Sequence, residues 1–530
     1  MDALLFSAGK GRGERNLAGL QKYLRDFAKS GYWLIPLLWA VAVVAYAPYF
    51  GVYYSPDSYY YALLGRNVVS GHGYMTSIIR ENLPEANFYS RSYPPVMPLL
   101  CGMTDWLLHS GIASGLIVDL LALYGMLHVC YLIGMRFIPR LFYLLPAACF
   151  VSVFVVIPMV HELLAGRSIP VAAFLFLMLL WLVTDKEDMS RWRCIVTGTC
   201  LGAMYLTRFD VSLFCLALPP FLCWVRREDW KKSLFIYAGL LLAVSPWMVR
   251  NVLTFGSLLV SSNWVAVVSV VPSDKPTLMF FKDGVPSGLE QPALWLTQRA
   301  GSLVARIGEM VGSFVPYGAF AAVPGIIILC LNCLTLKKYN KNRAVYVFLC
   351  VSFLWIAVDL ATVAVTLLPD ARYFSIVALL GWLGVAISAG LIAEEKYKIA
   401  AVEAVRHRWA WNLLAGALII GVVFSYLYPH ILKDSKQEIF AEAYDAFRPF
   451  IEPEAMIACD GYADNFAYYT PWKMIYFPTN AATPADADFI AWKEHFHVRY
   501  LIVMDQSPFL HYSMKILSKS GPFVLIDLKG

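Results

Sequence analysis

The chain has 530 residues, of which 59% are hydrophobic and only 15% charged, whereas soluble chains carry about 25% charged residues. That excludes a soluble enzyme and leaves a polytopic membrane protein with room for one extramembrane domain. The net charge of +6 is not a nucleic-acid footprint, because the basic residues fall where membrane topology places them.

The first 31 residues form a basic arm. Its AGKGRGERN stretch has glycines and a lysine but lacks the GK[ST] ending of a phosphate loop. The apolar run after it has no small-residue cleavage site behind it and reads as an anchor, not a removed signal. A membrane helix needs about 20 mostly apolar residues. Candidate spans are 32–50, 112–134, 141–160, 168–184, 194–207, 211–225, 233–249, 313–335, 344–367, 372–393 and 410–428, about eleven in all. Lys and Arg concentrate in the arm (Lys10, Arg12, Arg15, Lys22, Arg25, Lys29) and around 136–140, 186–193, 226–232, 337–343 and 396–408. The positive-inside rule then puts the N-terminus in the cytoplasm and the C-terminus outside. The eleven cysteines include one CxxC, Cys330 to Cys333, within an apolar run. Most of the others are also in apolar segments, where Cys acts as a small hydrophobe, so no disulfide framework or zinc site is read.

Three outer segments are long enough to build something: 51–111, 250–312 and 429–530. The first holds Asp57, followed by Tyr60, Leu63, Leu64 and Val68 at helical spacing. This predicts a short amphipathic helix along the membrane surface, and a second follows Pro94-Pro95. Asp57 reads locally either as a helix cap or as a carboxylate kept at the membrane edge for a reason, since charge near hydrocarbon is costly. The last segment alternates β-like runs (455–458, 473–477, 500–504, 523–528) with helical stretches (436–447, 485–497), the rhythm of a small α/β domain.

This topology gathers His161 and Glu162, Arg208 and Asp210, Arg250 and Asn251, and Asp370 and Arg372 at outer helix ends. Each arginine alone reads as a headgroup-seeking side chain. Together with Asp57 they suit a cavity with an acid/base group and anion clamps. Guanidinium forks match phosphate oxygens, and a positioned carboxylate can deprotonate an acceptor hydroxyl or amine. With no nucleotide-binding motif, the combination points to transfer of a group already activated on a lipid. The competing readings are a transporter or flippase of lipid-linked sugars, and an anchoring scaffold. The first would need mid-depth polar residues, of which Asp119 and Asp359 are the clearest.

The ordered set PDSYYYALLGRNVVSGHGY (56–74), YPPVMPLL (93–100), HELL (161–164), YLTRFD (205–210), SPWMVRNVLTFGS (245–257), ARYFS (371–375) and ACDGYADNFAYYTPWKMIYFP (458–478) resembles the GT-C superfamily of membrane glycosyltransferases. The likeness is greatest to the branch with protein O-mannosyltransferases and the lipid A aminoarabinose transferase. The resemblance implies a polytopic GT-C fold, 32–428, with amphipathic outer helices and a C-terminal extracytoplasmic α/β domain, 429–530. It implies an inverting transferase in a bacterial inner membrane that takes a sugar from a polyprenyl-phosphate donor to a glycan, lipid or protein acceptor. Asp57 takes the place of the catalytic base, with Ser58 where some relatives carry a second acidic residue. Glu162 and His161, with Tyr59 and Tyr93, take positioning roles, Tyr93 standing where relatives often have His before Pro-Pro. Arg208, Arg372 and Arg250 take the donor-phosphate contacts. Relatives vary in metal use, so a divalent metal is compatible, but His72, His161, Glu81 and Glu85 are too scattered to define a site.

Overall fold

The computed structural model describes residues 33–49, 54–79, 90, 93–139, 141–155, 163–185, 187–258, 290–301, 304, 343–366, 375–397, 437–459, 462–476, 489–490, 493–494, 496–507, 510 and 514–528. Its helices are α1 (Leu34–Tyr46), α2 (Pro56–Val69), α3 (Val96–Leu108), α4 (Ser114–Phe137), α5 (Leu144–Val155), α6 (Ile169–Val183), α7 (Arg191–Tyr205), α8 (Ser212–Arg226), α9 (Lys231–Phe255), α10 (Arg343–Thr366), α11 (Ser375–Tyr397), α12 (Gln437–Phe447) and α13 (Ala463–Tyr469). Its strands are β1 (Ile78–Ile79), β2 (Met456–Cys459), β3 (Lys473–Tyr476), β4 (Val498–Met504), β5 (Lys515–Ser520) and β6 (Phe523–Asp527).

Expected spans 313–335 and 410–428 lie outside the described residues; the others fall on α1 and α4 to α11. The stretches Gly111–Phe137, Phe209–Arg226, Lys231–Phe255 and Arg343–Thr362 are long and apolar enough to cross a membrane, and the chain is a polytopic membrane protein. Helix α9 shows why: Leu241, Leu242, Val249 and Leu253 are all exposed, an arrangement that lipid tolerates and water does not.

Arginines converge at the end of the bundle where α4, α6 and α8 finish. Arg136 donates to the Trp181 carbonyl at 2.6 Å, Arg193 to the Leu182 carbonyl at 2.8 Å, and Arg226 to the Val183 and Asp185 carbonyls at 2.7 and 2.8 Å. These are carbonyls left without intrahelical partners by the end of α6, and cations there also meet the negative end of its dipole. The Arg226 side chain is fully buried and pairs with Glu228 at 2.8 Å; Arg343 and Lys232 close on the same carboxylate at 3.5 and 3.2 Å. Burial alone would raise the Glu228 carboxyl, yet the bond to Arg226 and its charge hold it below the ordinary value.

The C-terminal strands form a mixed six-stranded sheet of order β1-β3-β2-β4-β6-β5. Strands β1, β3, β2 and β4 run parallel, while β6 and β5 are antiparallel additions. Four strands match the β-like runs of the sequence. Strand β5 was not anticipated, nor was β1, which comes from the first outer segment and pairs Ile78 with Met474 and Ile79 with Ile475. Of the two helical stretches expected here, 436–447 is α12, and most of 485–497 lies outside the described residues.

Helix α2 departs from expectation more instructively. Read as a surface-lying amphipathic helix, it is instead buried on every face from Ser58 to Gly65. Tyr59 and Ala62 join the core of the bundle, Tyr61 packs with Met97 and Cys101 of α3, and Tyr60, Leu63 and Leu64 enter the core beneath the sheet with Phe440 and Phe466. A full turn of contacts needs apolar residues all round, which YYYALLG provides. Burial of Leu63 and Leu64 contributes about 1.5–3 kcal/mol each. Helix α3 crosses α2 at Gly65 and Gly102, where a Cβ on either glycine would lie within 2.4 to 2.6 Å of the other helix's backbone. Helix α3 is amphipathic as expected, but it turns Met103, Trp106 and Leu107 outward, a face suited to lipid.

A second glycine contact sets the loop before α6. Gly166 has φ +64°, and a Cβ there would meet the Leu116 nitrogen at 2.9 Å and the Gly115 carbonyl carbon at 3.0 Å. Replacing Gly166 by Ala should therefore cost about 1–2 kcal/mol for the backbone conformation plus displacement of the loop from α4, read as a lower Tm in detergent. Glu228→Ala should destabilise by about 3–5 kcal/mol, because it leaves the Arg226 guanidinium buried without its counter-charge. Since the folded carboxyl titrates below its unfolded value, that stabilisation is present above the ordinary Glu pKa and fades as pH falls. The wild-type and Glu228→Ala melting curves should accordingly converge in acid.

Candidate active site

The start of α2 is capped without help from Asp57. The Ser58 amide donates to the Ser55 hydroxyl at 3.3 Å, and the Ser55 amide donates to the Ser58 hydroxyl at 3.2 Å, a reciprocal capping box. The Ser58 hydroxyl also reaches the Ala165 carbonyl, tying α2 to the loop before α6. The capping reading of Asp57 therefore gives way: with the serines in that role, its carboxylate faces sideways at the positive end of the helix. Oδ1 accepts a hydrogen bond from the Tyr93 hydroxyl, and Oδ2 lies 3.8 Å from Arg167 Nε. Carboxylate and guanidinium side chains are 20% and 25% exposed, so the pair is sheltered but open to an incoming group.

Tyr93 is held firmly. Its ring packs against Tyr60 and Tyr61 at 4.5 and 5.1 Å between centroids. Its carbonyl and that of Pro94 accept from the Tyr74 hydroxyl at 3.1 and 3.2 Å. Burial keeps the Tyr74 phenol well above its ordinary pKa, so it remains a neutral donor. The Tyr74 ring meets Trp247 at 5.0 Å, and Arg250 sits over Trp247, Phe255 and Tyr74 at 4.6, 4.8 and 5.4 Å. Arg250 thus belongs to an aromatic cluster that braces the Tyr93 loop; its guanidinium also donates to the Asn251 side chain at 3.0 Å. The same loop is tied to the end of α7 by the Val96 amide, 2.9 Å from the Leu206 carbonyl.

Two residues after that tie, Arg208 forms a forked pair with Asp210, with Nε to Oδ1 at 3.1 Å and Nη2 to Oδ2 at 2.6 Å. Both line an open cleft with Phe214, Trp355, Asp359 and Ile169 among its walls. Ile169 begins α6, two residues beyond Arg167, so the cleft starts within about 7 Å of chain from the Asp57 partner. Tyr59, by contrast, is fully buried, its ring edge-on to Tyr54, Tyr468 and Tyr469 at 6.4, 5.6 and 5.8 Å. It joins α2 to α13 and is not among the residues that line the Arg208 cleft. Glu162, His161 and Arg372 lie outside the described residues, as do Glu81 and Glu85. Among the described residues no group of three or more His, Cys, Asp or Glu could hold a metal ion.

Arg167 was not anticipated. It immediately precedes the expected span 168–184, and the signal available was GR at the entry to an apolar helix, with Gly166 needed for the turn.

No family profile matches the sequence, and no curated protein matches it. Solved structures do. ArnT from Cupriavidus metallidurans bound to undecaprenyl phosphate superposes with a TM-score of 0.55 at 14% identity, covering 94% of this chain and 98% of that one. The apo oligosaccharyltransferase of Archaeoglobus fulgidus superposes at 0.53 with 11% identity, covering 90% of this chain and 70% of that one. Over nearly its whole length this chain shares the fold of these two proteins.

Proposed function

We propose that the protein is an inverting glycosyltransferase that moves a sugar from a polyprenyl-phosphate donor to a glycan, lipid or protein acceptor, with Asp57 as general base. The observation that carries this reading is the environment of Asp57. A carboxylate at a helix N-terminus, not used as a cap, is oriented by Tyr93 and kept beside Arg167. Support for the lipid donor comes from the fold neighbour that binds undecaprenyl phosphate. The domain reading follows from it: a basic arm (1–31), a membrane-embedded catalytic unit (32–428) and an extracytoplasmic unit (429–530), with Asp57 on the same side as the latter.

The acceptor attacks the anomeric carbon from the face opposite the phosphate, and Asp57 takes its proton. The Tyr93 hydroxyl fixes one carboxylate oxygen, which sets the direction of the other. Arg167 places its positive charge 3.8 Å from that other oxygen. Arg208, with Arg250 and Arg372 as the further cations, neutralises charge on the departing phosphate; such charge stabilisation is usually the largest contribution to rate.

Asp57→Asn should lower transfer by about 10²–10⁴-fold, the usual contribution of general-base catalysis, while folded yield is retained. The assay is release of undecaprenyl phosphate from a glycosyl-lipid donor in detergent, where no gradient exists and transport cannot register. A fully active Asp57→Asn enzyme would remove Asp57 from the role of base. Tyr93→Phe should reduce kcat by about 10–100-fold, the equivalent of one hydrogen bond to a charged group, with little change in KM.

A further inference from the structure

The cleft beside the Asp57 pair is not built as a phosphate clamp alone. Its cation, Arg208, is already matched by the Asp210 fork, and Asp359 brings a second carboxylate into the same walls. Among the described lining residues one guanidinium therefore faces two carboxylates. Asp359 Oδ2 is buried with no hydrogen-bond partner among the described residues. One turn earlier on α10, Trp355 lines the same cleft, is only 4% exposed, and its indole Nε1–H also lacks a partner among those residues. Residues at this spacing share a helix face. The Trp355 ring is fixed by Phe176 and Phe214 at 4.4 and 4.8 Å, so its donor cannot swing away.

A buried acceptor and a buried donor left unmade are unfavourable in isolation, and side by side on one wall they describe a complementary ligand. A hydroxyl both donates and accepts, so a pair of neighbouring hydroxyls satisfies the wall completely. We infer that Asp359 and Trp355 form a subsite for the hydroxyl-bearing ring of a sugar, and that they select the sugar carried by the lipid phosphate. This rests on the transferase reading above and adds to it the residues that discriminate among donors.

The test is equilibrium binding by the full-length protein in detergent. The probes are undecaprenyl phosphate and its glucosyl, mannosyl and galactosyl esters. At least one hexosyl lipid should bind about tenfold more tightly than undecaprenyl phosphate alone, the increment expected when a site hydrogen-bonds ligand hydroxyls. Asp359→Leu and Trp355→Phe should each abolish most of that increment and leave undecaprenyl phosphate affinity within about twofold, a selectivity that general misfolding would not produce. Should Asp359→Leu not fold, Trp355→Phe carries the test. The subsite is overturned if both variants keep the increment, if they weaken all four lipids alike, or if no hexosyl lipid outbinds the bare phosphate. Wild-type protein that bound none of the four, bare phosphate included, would instead count against the transferase reading itself.

Discussion

Helix α2 is enclosed on every side, and the arrangement of the site depends on that enclosure. One face belongs to the membrane bundle through Tyr59 and Ala62, another to α3 through Tyr61, and a third to the core beneath the sheet through Tyr60, Leu63 and Leu64. A helix packed this way has no soft direction in which to tilt, because interiors resist even small volume changes. Asp57 sits in its first turn and inherits that rigidity. Two serines take the helix cap, so the carboxylate direction is set by Tyr93 and Arg167. Preorganisation of this kind comes from elements far apart in the chain: α2, the loop before α3, and the loop before α6.

The two ends of the bundle use the same residue types differently. At one end Arg136, Arg193 and Arg226 are consumed by the terminal carbonyls of α6 and by Asp185 and Glu228. Their hydrogen bonds terminate a helix and leave little for a ligand. At the other end Arg208 and Asp210 line an open cleft, and Asp57 and Arg167 remain partly exposed. Arginine at a helix end is thus structural or functional according to what the neighbouring backbone leaves unsatisfied.

That distinction also marks how far the sequence could be read. Apolar runs locate helices because lipid demands length and hydrophobicity, so α4 and α6 to α11 fall close to their expected places. Strands β2, β3, β4 and β6 are legible because buried parallel and central strands read as short apolar runs. Strand β5, KILSKS, is half polar and at the sheet edge, and β1 is two residues long; neither carries a pattern strong enough to stand out. The enclosure of α2 was missed for a different reason. YYYALLG matches a helical face, but nothing local says that a second unit covers the opposite face. The sheltered setting of Asp57 was legible, since a carboxylate after a span is drawn to polar partners, here Tyr93 and Arg167. Arg167 was not, because its importance comes from a three-dimensional turn made possible by Gly166 against Gly115, and pairings between distant loops leave no local spacing to detect.

The pairing of β1 with β3 has a consequence for the life history of the molecule. Residues Ile78 and Ile79 leave the ribosome long before their partners Met474 and Ile475. Domains fold as units during translation, and long-range strand pairing is slow because its loop must close before any contact rewards it. The early strand therefore waits, unpaired, through the insertion of the entire bundle, and α2 waits with it for the cover provided by α13. A nascent chain completes this sheet only when β3 arrives, so a ribosome that stalls before it releases a chain whose α2 still lacks its cover. Quality control of this protein is in that sense written into its strand order: the early strand is covered only once its late partner has been made.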